Sequence, residues 1–141
     1  MIAPIHAGVG AVIGAGVIGI PDLAPAVALS IISHWPIDGL NYTPPDYIPH
    51  EIVGWYDWMV AICGTILVLL CAWFFLGPYS FICSLAGISL DWEWVARAVT
   101  FNKIKDFGWH RRMWFGWLKT MTGKRIVEMG FIILVVLYAV L

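Results

Sequence analysis

The segment Ser33-His34-Trp35-Pro36-Ile37-Asp38, followed by Asp46 and His50, places two imidazoles and two carboxylates within seventeen residues of a mostly apolar chain. Ionisable groups set among hydrocarbon are costly; they persist by pairing, by facing a wet cavity or by holding a metal. Imidazole and carboxylate are also the donors that zinc and manganese accept. His34 and Asp38 are four residues apart, the spacing that aligns two side chains on one helical face. Pro36 lies between them and predicts a kink or a helix end near Trp35. His6 joins the group if the two stretches around it and His34 form a hairpin, because the start of the first and the end of the second then meet. The expected metal ligands are His6, His34, Asp38 and His50, around zinc or manganese. Asp46 is expected as a further ligand or as the base that orients water, and a vacant position would hold that water.

The elements that must position these residues are helices. Five apolar segments are expected, at about 5–20, 23–35, 55–76, 79–96 and 126–141. The first two are short, roughly 20–24 Å by helical rise against a hydrocarbon core of roughly 30 Å. Ala7, Ala11 and Ala15 recur every fourth residue, with Gly10 and Gly14 beside them, so the first segment is expected to pack closely on the second. Asp22, after Pro21, reads as a helix cap. The string from Gly8 to Gly14 has the wrong spacing for a nucleotide-binding turn.

Composition sets the class. Hydrophobic residues make up 61% of the 141 and charged residues 12%, with a mean hydropathy of +0.85. Few soluble domains cover their surface with so little charge. The expected fold is therefore all-α: one integral membrane domain over 1–141, a polytopic transmembrane helical bundle with an interfacial basic, Trp-rich helix. All eight Lys and Arg fall between Arg97 and Arg125, opposed there by Asp106 alone. By the positive-inside rule this block lies in the cytoplasm. The expectation is then a multi-pass inner-membrane protein with the N-terminus cytoplasmic, the C-terminus outside, and the His/Asp loop on the same face as the basic block.

Trp92, Trp94, Trp109, Trp114 and Trp117 crowd the basic stretch and suit a helix lying among lipid headgroups. Arg111, Arg112 and Arg125 are candidate binders of an anionic or phosphorylated substrate, since metal and arginine together serve phosphoryl chemistry. The expected partners are the lipid bilayer, anionic lipid or a phosphorylated substrate, and further copies of the chain, with no nucleic acid. Cys63, Cys71 and Cys83 show no Cys-x-x-Cys spacing and read as packing residues.

His6, Gly10, Ser33-His34, Asp38 and Pro49-His50 together resemble small bacterial and archaeal membrane-bound metal-dependent hydrolases, including the LexA-regulated inner-membrane type. The resemblance covers about the first fifty residues. Trp35-Pro36 inside the His-x-x-x-Asp element and a longer proline-rich spacer before His50 depart from the pattern. The resemblance implies a metal-dependent hydrolase, with phosphoester or lipid-linked substrates as the expected class. The alternative is a non-enzymatic structural, assembly or holin-like subunit. A metal or proton transporter would want ionisable groups at the centres of the third and fifth segments, which have none.

Overall fold

A computed structural model describes residues 3–39, 55–92 and 121–141. Helix α1 spans Ala3–Gly14, α2 Leu23–Ile32 and α3 His34–Gly39. Helix α4, Trp55–Cys71, runs on into a π turn, Ala72–Leu76. Helix α5, Pro78–Gly87, is followed by a 3₁₀ turn at Ser89–Asp91, and α6 spans Met121–Val140. The described residues are thus all-α.

Helix α1 is the centre of the assembly and packs on α2, α4, α5 and α6, most extensively on α5. It can do so because its residues are small. Ala7 and Ala11 are fully buried, and a methyl group on Gly10 or Gly14 would run into the backbone of α5 at Cys83 and Ser80. The expected small-residue contact therefore exists, but its main partner is α5, with α2 a lesser neighbour. Buried Ser30, Ser80 and Ser84 line the same region. Each hydroxyl donates to a carbonyl one turn back in its own chain, at Ala26, Leu76 and Ser80 respectively. A hydroxyl satisfied locally lets serine behave as a small packing residue.

Three apolar clusters fill the gaps. Ala3, Ala7, Val68, Ile88 and Val135 pack together with Leu69 and Phe131. Ile5 meets Ile37, and Ile13, Ala26 and Cys83 close the far end. Between α4 and α5 the chain turns at Gly77, whose φ of 92° favours glycine. Pro78 then opens α5 at a first-turn position, where its missing N–H costs nothing.

The expectation of a polytopic transmembrane bundle is corrected here. Among the described residues, no helix is long and apolar enough to cross a membrane. The 17 residues of α4 rise roughly 26 Å, short of a hydrocarbon core of roughly 30 Å; the next five follow a π path. The 20 residues of α6 include Lys124 and Arg125 near the start and Glu128 about one turn later. With the spans go the multi-pass inner-membrane location, the topology with N-terminus inside and C-terminus outside, and the cytoplasmic placing of the metal site. The hydropathy has another expression in the structure: large apolar side chains at the surface. Ile62, Ile66, Leu70, Trp73 and Phe74 line α4 and its π turn, with Phe74 71% exposed. The interfacial basic, Trp-rich helix was expected in the stretch from Trp92 through the basic block at 97–125, of which residues 93–120 lie outside the described residues.

Candidate metal centre

Three turns of chain bring three donors together. His6 sits in the first turn of α1 and is fully buried. His34 opens α3, directly after the break that ends α2. Ser33 makes that break, its hydroxyl donating to Ser30 O at 2.8 Å. Pro36 falls in the first turn of α3, where a backbone N–H has no helical partner to lose, so the proline starts a helix there rather than kinking one. Asp91 closes the 3₁₀ turn after α5, its N–H donating to Ile88 O at 3.0 Å. His34 is buried, and Asp91 holds the group's more open edge, with 12% of its side chain exposed.

The imidazoles of His6 and His34 stack with centroids 3.8 Å apart and planes 10° from parallel. His34 Nδ1 lies 2.9 Å from the Gly87 carbonyl oxygen. A carbonyl only accepts, so Nδ1 carries the hydrogen, and in the neutral ring the lone pair is then on Nε2. Nε2 faces Asp91 Oδ1 at 3.7 Å.

That separation is longer than an N–H···O hydrogen bond of about 2.7–3.2 Å. It fits an ion pair between an imidazolium and the carboxylate, and it also fits two ligands of one ion. Donors roughly 2.1 Å from a zinc ion and about 110–125° apart lie about 3.4–3.7 Å from each other. One donor atom from each of His6, His34 and Asp91 falls within 4.8 Å of the others. Tetrahedral ligands stand about 3.4–3.7 Å apart, so a pair at the 4.8 Å bound would need to close by roughly 1.1–1.4 Å. A histidine that ligates a metal through one nitrogen while donating its other N–H to a backbone carbonyl is a common metal-site arrangement, and Gly87 supplies that carbonyl.

Of the expected ligands, the structure brings His6 and His34 together. Asp38 lies in α3 one turn beyond His34, but its side chain is outside the described set. Asp46, His50, Arg111 and Arg112 fall outside the described residues. Arg125 lies in α6 with its side chain likewise outside. Asp91 was not anticipated. The signal for it was present: a carboxylate inside the apolar stretch 79–96 meets the same rule that singled out His34 and Asp38.

Comparison of the chain with protein-family models, with curated proteins and with solved structures finds no match.

Proposed function

We propose that this chain binds a divalent metal ion through His6, His34 and Asp91 and uses it for hydrolysis. The single observation that carries the reading is the His34 geometry. Its Nδ1–H is committed to Gly87 O, and its Nε2 faces Asp91 Oδ1 at 3.7 Å, a separation that two ligands of one ion can take. Two imidazoles and one carboxylate form a donor set that zinc accepts and that leaves a fourth position open. A bound divalent ion there would supply an activated water at neutral pH. The chain's own part is to fix the His34 ring through Gly87, to offset the ion's charge with Asp91, and to keep most solvent out with α1 and α5. Substrate would approach along Asp91, the more open edge. Phosphoester or lipid-linked substrates would suit such a centre, with Asp46 and His50 as further donors and Arg111, Arg112 and Arg125 as anion binders.

A structural role for the ion is the second reading, favoured by the complete burial of His6 and near-complete burial of His34. One experiment separates the two. Metal analysis and zinc titration of the purified chain should give about one equivalent, lost in a His6→Ala/His34→Ala double variant. Zinc-dependent hydrolysis of an activated phosphodiester such as bis(p-nitrophenyl) phosphate supports the enzyme. Stabilisation without turnover supports the structural role, and no metal uptake sinks both.

For a partner we propose lipid in contact with the exposed apolar edge of α4 and its π turn, without any of the described helices crossing the layer. Its support is the surface run from Ile62 to Phe74. Flotation with phosphatidylcholine vesicles should carry wild type, and should carry a Phe74→Ser/Ile66→Ser variant markedly less.

A further inference from the structure

Gly87 touches both histidines of the centre, by two different means. It is the last residue of α5, and the final four carbonyls of a helix have no partner within it. Ile88 N–H turns back to Ser84 O, and Asp91 N–H bonds to Ile88 O. The Gly87 carbonyl is therefore available, and it accepts from His34 Nδ1 across fifty-three residues of sequence. The negative end of the α5 dipole lies there too, which favours a donor at that spot. The other contact is through what Gly87 lacks. A Cβ at this position would run into the main-chain carbonyl of His6. The absent side chain sets how near the first turn of α1 comes to the end of α5, and so where His6 stands relative to His34.

We propose that Gly87 is a positioning residue of the metal centre: its carbonyl fixes the His34 tautomer that turns the Nε2 lone pair toward Asp91, and its bare Cα admits His6 to the same ion. The inference rests on the metal reading and adds a residue that carries no donor side chain. Neither effect requires an unusual backbone angle; both are matters of placement.

The test uses the full chain as wild type, Gly87→Ala and Gly14→Ala. Gly14 is the control, because its added methyl would likewise meet α5 backbone, 2.6 Å from Ser80 Cα, but far from the histidines. Zinc affinity is measured alongside the ¹⁵N resonances of the His34 ring. Wild type should bind zinc and show His34 protonated at Nδ1. Gly87→Ala should bind about tenfold more weakly or worse and lose that ring signature, while Gly14→Ala keeps both although its melting temperature falls. Equal loss of affinity in the two variants, or none in Gly87→Ala, overturns the proposal. Should Gly87→Ala not fold, the wild-type ring decides, and protonation at Nε2 overturns it. A wild-type chain that takes up no zinc overturns the metal reading and this inference with it, an outcome distinct from the others.

Discussion

His6 and His34 lie face to face, their ring centroids 3.8 Å apart and their planes 10° from parallel. An ion midway between the two rings would sit up to half of 3.8 Å, about 1.9 Å, out of each plane. Imidazole lone pairs lie in the ring plane, so the two rings must splay for both to ligate one ion. Adding zinc should therefore move the His6 and His34 ring protons downfield as mutual ring-current shielding is lost. Zinc-saturated protein with both sets of resonances unmoved would mean that at most one ring is a ligand.

Replacing Asp91 with asparagine keeps the shape and removes the charge. Asp91→Asn should weaken zinc binding by about tenfold or more while circular dichroism stays helical. His34→Ala should do the same and also leave the Gly87 carbonyl without its donor, at a cost of about 1–3 kcal/mol in stability. Chemical denaturation with and without zinc reads both effects. Unchanged affinity in Asp91→Asn would remove Asp91 from the ligand set.

The thiols give a pH dependence whose sign can be worked out. Burial raises the pKa of Cys71 above the usual value near 9.0. Burial also raises that of Cys83, partly offset by a hydrogen bond with Ser30. Raised values mean that the folded state favours the neutral thiol. This contribution to stability is complete below the usual value and is lost as pH climbs through the higher folded ones. Unfolding midpoints should drop above about pH 9 in wild type and drop less in a Cys71→Ala/Cys83→Ala variant. At pH 8, alkylation followed by mass spectrometry should label exposed Cys63 first.

Two glycines should respond to the same substitution with opposite signs. Gly10→Ala drives a methyl into the Cys83 carbonyl at the α1–α5 crossing. It should cost about 1–3 kcal/mol, the range for overpacking. Gly130 is exposed within α6, so Gly130→Ala should stabilise by about 0.4–1 kcal/mol by restricting the unfolded chain. Paired denaturation curves check both.

Local pattern was legible in the sequence, and long-range partnership was less so. Small residues at Ala7, Gly10, Ala11 and Gly14 announce a helix that another will approach closely, yet spacing does not say which one. The contact falls chiefly on α5, some seventy residues away, rather than on the adjacent α2. The meeting of His6 with His34 could be read because α1 and α2 are consecutive and a hairpin brings the start of α1 near the end of α2, which His34 directly follows. Asp91 could not be placed that way, since the tight packing of α1 on α5 is what delivers it. Hydropathy was misleading about spans because it counts apolar residues without asking whether they form one uninterrupted α path. At Ala72 that path widens into a π turn, and in α6 it carries charge near its start.

The donors at positions 6, 34 and 91 come from three separate stretches of chain, and this gives the centre an order in time. A chain emerging from its N-terminus offers two imidazoles early but no completed trio until α5 and the turn behind it have been synthesised. Metal capture by this trio, as proposed, would thus be a late event, one that marks the docking of α5 on α1 as finished. An ion that binds only the folded chain adds about 2.7 kcal/mol at a hundredfold excess over its dissociation constant, so that final docking would also be the step the ion makes hardest to reverse.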